Sequence, residues 1–421
     1  MNTNCSHRLL IISNSVLSKT RANGKTILSF FDYLPKDNVR QLYFLKETPT
    51  VAGYKYFQIK DEDVIRGIIN PQKRGRAYKN VVDCDSSDFV RRPANVKKPV
   101  YRLIREAIWK NRWRSKQLDD WLDEFKPDTI FFVAGDSLFA YDICEYISQK
   151  YKARTSIYIT DDYILKRQKE SFFAMVRRKM VFRKMKNCIV HADAFFTISD
   201  PMRLAYKNIF GRDSQTIVNI PDPNSNSNRK EKLPFIKYVY AGSLYYGREY
   251  VIASIVKALA QYNDIHEKKG LLYIYSNTPL TKEQEALIAV DGVSQYGGAL
   301  TKDAVNIELQ SADVLVFVES FDEDQISKTI FSLSTKVPEY MSMRKAILAV
   351  GPENIGSMDY LKDIALCVNN LDDLNEKIEL LMEDEKLRDY YSANAYEKFL
   401  QNHDKAKAQN RIERIVFGEG D

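Results

Sequence analysis

Apolar runs of four to seven residues recur along the first half of the chain, and between most of them apolar residues return every three or four positions. The first pattern suits buried strands and the second amphipathic helices. Strands are therefore expected at RLLIIS (8–13), VRQLYFL (39–45), TIFFVAG (129–135), TSIYIT (155–160) and AFFTIS (194–199), with helices between most of them. At 220–234 the rhythm breaks: IPDPNSNSNRKEKLP is rich in Pro, Asn and Ser, then in charge, and suits a linker. It restarts with strands expected at IKYVYAG (236–242), GLLYIYS (270–276), DVLVFVE (313–319) and AILAVG (346–351), and the chain closes on a helical tail from Asp384. Alternation of this kind marks a mostly parallel α/β sheet. The expectation is two α/β domains, 1–222 and 223–399, with 400–421 a helix that packs back on the first. Ligands of such sheets bind at the carboxyl ends of the strands, which two facing domains would turn toward a common cleft.

Length agrees with this division, since 421 residues exceed one ordinary core and match two domains of about 200 residues each. With 44% hydrophobic and 28% charged residues the composition is that of a globular protein. The first residues hold only a short apolar run, too short for a signal peptide or a membrane span, so a cytoplasmic protein is expected. Cys5, Cys84, Cys144, Cys188 and Cys367 form no CxxC pair, and His7, His191, His266 and His403 are equally dispersed, so neither disulfides nor zinc is indicated. The net charge of +7 is concentrated in KKPVYRLIREAIWKNRWRSK (97–116) and RRKMVFRKMK (177–186), where cations alternate with aromatic and aliphatic residues. Such segments suit nucleic acid or an anionic membrane, or are simply the solvated faces of two amphipathic helices.

Nucleotide motifs narrow the chemistry. No GxGxxG follows any expected strand, which argues against a nicotinamide dehydrogenase. NGKT (23–26) imitates the end of a P-loop, but Lys19 stands where that motif needs glycine; Asn23 and Gly24 instead open a helix whose backbone N–H groups could approach a phosphate. Asp83, Cys84 and Asp85 have the form of a metal-binding DxD, yet only Val81 and Val82 precede them, so a solvent loop is favoured. Two segments of the second half say more. YVYAGSLYYGREYVIASIVKAL (238–259) runs from strand through Gly242 and Gly247 into a helix beginning near Arg248. SLSTKVPEYMSMRKAILAVG (332–351) places Ser334 and Thr335 as N-cap candidates before a helix beginning near Lys336, with Pro338 in its first turn. A cation at a helix N-terminus opposes the dipole, which makes sense if an anion binds between them. One diphosphate could engage both ends. Three residues past Lys336, Glu339 shares its helical face and could accept hydrogen bonds from a ribose diol, or merely offset the dipole.

With these residues in view, the chain resembles bacterial glycosyltransferases of the GT-B fold, family-4-like retaining enzymes of surface (capsular or exo-) polysaccharide biosynthesis. The resemblance spans nearly the whole chain and rests on ANGKT, ITDDY and ADAFFTISDPM in the first half and on YAGSLYYGR, SADVLVFVES and SLSTKVPEYMSMRKAILAVG in the second. It implies two Rossmann-like domains facing across a cleft, the second holding a nucleotide-diphosphate sugar and the first a saccharide acceptor. Gly242 and Arg248 match the family's glycine and cation, Ser243 stands where many members carry arginine, and Glu339 matches the ribose-binding glutamate. The family's partner glutamate, eight positions earlier, is Phe331 here, and Glu319 is the candidate to replace it near the sugar.

The resulting expectation is retaining glycosyl transfer to a lipid-linked saccharide, without metal or cofactor. Arg248, Lys336 and Glu319 would serve catalysis, and Gly242, Ser243, Ser334, Thr335 and Glu339 would complete the nucleotide site. Asn14, Asn23, Gly24, Asp136, Asp161 and Asp162 are the acceptor-side candidates, the three aspartates having helix N-caps as their other reading. The lipid-linked acceptor would be met at an anionic membrane surface through 171–190, placing the protein on the inner face of the cell membrane, with no nucleic-acid partner. Two alternatives stay open: a nucleotide-sugar epimerase of the same architecture, and a non-catalytic nucleic-acid-binding protein.

Overall fold

A computed structural model describes residues 7–20, 22–78, 81–83, 99–167, 169–221 and 233–418. It divides into two compact units, Met1–Asn219 with Ala406–Asp421, and Ile220–Lys405.

The first unit is built on β1 (Leu9–Ser13), β2 (Val39–Tyr43), β3 (Lys55–Gln58), β4 (Arg76–Tyr78), β5 (Thr129–Ala134), β6 (Arg154–Ile159), β7 (Ala194–Thr197) and β8 (Gln215–Thr216). They pair in the order β4-β3-β2-β1-β5-β6-β7-β8, all parallel except β4 against β3. The second unit is built on β9 (Phe235–Ala241), β10 (Lys269–Tyr275), β11 (Ser294–Gly298), β12 (Val314–Val318), β13 (Ala346–Val350) and β14 (Leu366–Val368), in the wholly parallel order β11-β10-β9-β12-β13-β14. Read by appearance in the chain, this is the 3-2-1-4-5-6 order of a doubly wound sheet, and β3-β2-β1-β5-β6-β7 repeats it. In each sheet the order reverses beside the first strand. There the connections leave in opposite directions and open a crevice, between β1 and β5 in one unit and between β9 and β12 in the other.

The central strands are apolar because helices cover both their faces: β1, β5, β12 and β13 are buried at every position. The polar strand β11, SQYGG, lies at an edge and is buried at none. The C-terminal division falls later than the sequence suggested. The helix Glu385–Asn402 stays with the second unit, where Ala395 and Phe399 are buried and Lys398 donates to the Tyr360 carbonyl at 2.8 Å. His403, fully buried and 2.8 Å from the Tyr360 hydroxyl, ends that run. Only the helix Lys405–Phe417 packs on the first unit: Gln409 donates to Ser29 O at 2.8 Å and Asp32 Oδ1 at 2.7 Å, and Arg154 donates to Val416 O at 3.0 Å.

The basic segment 171–190 carries less uncompensated charge than its sequence suggests. It is the helix Phe172–His191, and its stripe Val181, Met185 and Ile189 is buried as the periodicity requires. Its charge, however, is partly spent. Arg177 is buried and pairs with Asp136 at 3.0 Å, Arg178 pairs with Glu170 at 2.7 Å, and Lys184 pairs with Asp142. Lys179, Arg183 and Lys186 are the exposed cations. Phe172, Phe173 and Met180 are exposed beside them, Phe172 at 68%.

Candidate active site

The second unit's crevice gathers the residues that the sequence singled out. Strand β9 ends at Ala241, and residues 242–247 lift the chain into the helix Arg248–Ile265. The turn is made by two consecutive left-handed residues, Tyr246 (φ 71°) and Gly247 (φ 81°). Glycine adopts that conformation freely, whereas an aromatic residue does so against its steric preference, so local strain is stored where the helix begins. Arg248 is the first residue of this 18-residue helix, at the positive end of its dipole. The acidic partner expected of such an end is Glu249, buried and accepting from Gln284 Nε2 at 3.0 Å.

Arg248 turns to the neighbouring strand instead. Glu319 directly follows β12, and its carboxylate accepts from Arg248 Nη2 at 2.6 Å. The pair is mostly enclosed, with side-chain exposures of 17% for Arg248 and 5% for Glu319. Space for Glu319 comes from Gly351 at the end of β13, where a Cβ would lie 2.9 Å from that of Glu319. Burial works against the guanidinium charge, but Glu319 overrides it and holds the Arg248 pKa above its ordinary value. The arginine expected to await an anion already has one.

Lys336 approaches from the third side. It begins the helix Lys336–Ser342, which is held by buried Val337, Pro338 and Met341. The Tyr340 hydroxyl, one turn on, accepts from Ala241 N at 3.2 Å and donates to Ala241 O at 3.3 Å, fixing this helix to the end of β9. The ammonium consequently sits in the β9 loop: a Cβ added to Gly242 would lie 1.8 Å from Lys336 Nζ, and the Tyr240 ring centroid is 5.5 Å from it. Desolvation of the ammonium and the nearby Arg248 cation lower the Lys336 pKa to about 8, with Glu319 and Glu339 pulling weakly the other way. Thr335 occupies the N-cap position without capping through its side chain, while Ser334 Oγ accepts from Lys336 N at 3.4 Å. With only seven residues, this helix has little dipole to offer, so the two-helix-end clamp expected from the sequence reduces to one helix end, one guanidinium and one ammonium.

Glu339 is half-buried on the face of Lys336, and Ser243 lies in the β9 loop with its carbonyl accepting from Tyr240 OH at 2.7 Å. The sequence reading missed Tyr240, whose ring lies by the Lys336 ammonium, and Tyr340, which ties the Lys336 helix to Ala241. Tyr340 follows Lys336 by four residues and so shares its face, and Tyr240 precedes Gly242 by two in a strand; both spacings were visible.

The first unit treats its candidates differently. Asn14 follows β1 and its side chain packs on Gly135 after β5, where a Cβ would come within 2.5 Å of Asn14 Nδ2. Asp136 is held by Arg102 at 2.8 Å and Arg177 at 3.0 Å. Asp161 accepts from Thr160 Oγ1 at 3.0 Å and from Tyr163 OH at 3.2 Å. Asp162 is buried and committed to its own loop, accepting from Ile164 N and Leu165 N at 3.2 Å and Tyr206 OH at 3.0 Å. Asn23 is exposed, and Gly24 is demanded by packing, since a Cβ there would lie 2.3 Å from Val16 O. Of the DxD-like segment, Asp83 accepts from Ala52 N at 2.8 Å and pairs with Lys19 at 3.2 Å, while Cys84 and Asp85 lie outside the described residues.

No protein-family profile matches this sequence, and no curated protein is found as a relative. Solved structures are similar over the whole length. Anabaena HepE, in complex with UDP, aligns at 12% identity over 98% of this chain and 100% of its own, with a TM-score of 0.63. The α,α-trehalose 6-phosphate synthase of Burkholderia multivorans aligns at 11% identity over 98% and 99%, with a TM-score of 0.62. The lipopolysaccharide outer core galactosyltransferase WaaB, in its apo form, aligns at 12% identity over 98% and 99%, with a TM-score of 0.57. These likenesses, with the two doubly wound sheets, establish the fold of this chain as that of the GT-B glycosyltransferases.

Proposed function

We propose that this protein is a glycosyltransferase that binds a nucleotide-diphosphate sugar at the β9–β12 crevice and transfers the sugar, with retention, to a saccharide acceptor. The observation that carries the reading is the placement of Lys336: its ammonium lies in the β9 loop against Gly242, near enough to Arg248 that burial and that cation together lower its pKa to about 8. Arg248 is countered by Glu319, but the Lys336 ammonium remains depressed by burial and by that guanidinium, a state that a bound polyanion would relieve. A diphosphate would accept from both and from the helix's free N–H groups, and HepE, with the same fold, is solved holding UDP.

The mechanism follows from that charge. As the glycosidic C–O bond breaks, negative charge grows on the departing diphosphate, and Lys336 and Arg248 stand where they would stabilise it, the role otherwise given to a divalent metal. Retention fits a route in which the leaving phosphate takes the proton of the incoming hydroxyl on the same face. No protein base is then needed. The direct test is release of free nucleoside diphosphate when donor and acceptor are mixed; sugar interconverted without acceptor would instead show an epimerase. A thermal-shift screen should find the donor first, since a ligand at 100 times its Kd stabilises by roughly 2.7 kcal/mol.

Glu339 is assigned to the ribose. Glu339→Gln keeps the shape and loses charge-assisted acceptance, so affinity for a ribonucleoside diphosphate should fall about tenfold, with little effect on its 2′,3′-dideoxy analogue. Titration of both ligands decides the matter, because equal weakening would assign Glu339 to its helix alone.

The acceptor is assigned to the first unit and to the membrane surface, as a lipid-linked saccharide of surface-polysaccharide assembly. Phe172, Phe173 and Met180 suit shallow insertion, with Lys179, Arg183 and Lys186 facing anionic headgroups. Reversing these three charges should abolish co-sedimentation with anionic vesicles at low salt and leave nucleotide binding intact. Equal binding to neutral and anionic vesicles would refute the assignment.

A further inference from the structure

The buried ion pair at the mouth of the crevice has a function beyond holding Arg248 in place. We infer that Glu319 is an exchangeable counter-ion, paired with Arg248 in the empty site and released to the donor's sugar hydroxyls when the diphosphate takes the guanidinium. This rests on the nucleotide-sugar reading and adds to it a means of telling substrate from product.

Three features of the site lead here. The Arg248–Glu319 pair is short, at 2.6 Å, and almost closed to solvent, so it occupies the guanidinium face that a phosphate would need. Arg248 Nε is buried and has no hydrogen-bond partner, which leaves donor capacity that Glu319 does not satisfy. Glu319 also favours the Lys336 ammonium, weakly and alongside Glu339, so the carboxylate that pairs with Arg248 is felt by the second cation of the site as well.

A diphosphate cannot enter beside an unmoved Glu319 without setting like charges together in an enclosed space. Once displaced, the carboxylate must find donors, because a buried charge without partners is costly. A nucleotide sugar supplies them: vicinal hydroxyls donate to a carboxylate that can accept at both oxygens. A bare nucleoside diphosphate carries only its ribose diol, assigned above to Glu339, and leaves Glu319 without hydroxyl donors beside the terminal phosphate. The wild-type protein should therefore bind the sugar-bearing donor more tightly than the product that shares its nucleotide, which limits product inhibition.

The test uses the full chain with two ligand pairs, UDP with UDP-glucose and GDP with GDP-mannose, and continues with the pair that raises the wild-type melting temperature. Glu319→Gln should bind the bare diphosphate about threefold to tenfold more tightly than wild type and the nucleotide sugar no more tightly, so that the preference for the sugar collapses by roughly tenfold. A purely structural Glu319 would instead weaken both ligands together. Glu319→Asp, which keeps the charge and shortens its reach, guards against misfolding of the first variant and should shift the ratio in the same direction by a smaller factor. An unchanged ratio in both variants, with wild-type binding intact, overturns the exchange and leaves the donor reading standing. Failure of every ligand to bind the wild type overturns both.

Discussion

Lys336→Ala should fold at least as well as the parent protein and yet lose most of its activity at limiting donor. The two effects have one cause. An ammonium whose pKa falls to about 8 through burial and the neighbouring Arg248 is held against its preference, so the empty site is relieved when it goes. In the unfolded chain this lysine returns to its ordinary, higher pKa. Between about 8 and that value the unfolded state binds the extra proton, so stability of the wild type should rise with pH across that window, and Lys336→Ala should lack the rise. Binding has the opposite sign. A diphosphate needs the ammonium charged, so donor affinity should hold below about pH 8 and decline above it, with proton uptake on binding that calorimetry in buffers of different ionisation enthalpy would detect. Charge-assisted hydrogen bonds are worth about 1.5 to 3 kcal/mol, so the variant should lose roughly tenfold to a hundredfold or more in kcat/KM. Full turnover at limiting donor would remove Lys336 from the site.

Arg248→Ala should lose as much activity but should not share that stability. By its place at a helix N-terminus alone, either cation opposes a dipole and its removal would be expected to leave folding unharmed. Its pairing with buried Glu319 changes the expectation for Arg248. Removing one partner of a buried pair leaves an uncompensated charge, at a cost of about 3 to 5 kcal/mol, with the lower end favoured by the residual exposure of Arg248. Glu319→Gln in the same chain should restore most of the melting temperature and none of the activity.

That contrast marks where the sequence stops being informative. The nine strands foreseen are those whose apolar runs are long because they lie inside a sheet, as LLIIS and VLVFV do. Those overlooked are short or peripheral: Lys55–Gln58, Arg76–Tyr78, Gln215–Thr216, Leu366–Val368 and Ser294–Gly298, the last without any apolar run because an edge strand has only half its surroundings to satisfy. Gly242 and Arg248 could be found because they flank a strand-to-helix junction, and Lys336 because N-cap candidates precede it where its helix begins. The Arg248–Glu319 pair could not. It joins residues 71 apart, and depends on β9 and β12 becoming neighbours at the reversal of strand order. The basic helix shows the converse, for its cations were easy to count, but the withdrawal of Arg177 to Asp136 was decided by the fold.

Gly242 offers the sharpest separation of site from scaffold. Its backbone is not in the left-handed region, so no conformational demand excludes alanine there. What excludes it is the Lys336 ammonium, 1.8 Å from where the methyl carbon would stand, with Cε at 2.9 Å and the Tyr240 hydroxyl oxygen at 3.0 Å. The ammonium ends a flexible chain and can swing away at small cost, whereas the Tyr240 hydroxyl is anchored on the Ser243 carbonyl. Gly242→Ala should therefore melt close to the wild type while Lys336 is driven out of the β9 loop. Diphosphate affinity should fall about tenfold to a hundredfold, nearly to the level of Lys336→Ala. Because both substitutions remove the same contact, their double mutant should be little worse than either alone, a strong departure from additivity. Additive losses would mean that Gly242 meets the ligand directly, through the close backbone approach that glycine permits, and that the lysine acts independently of it.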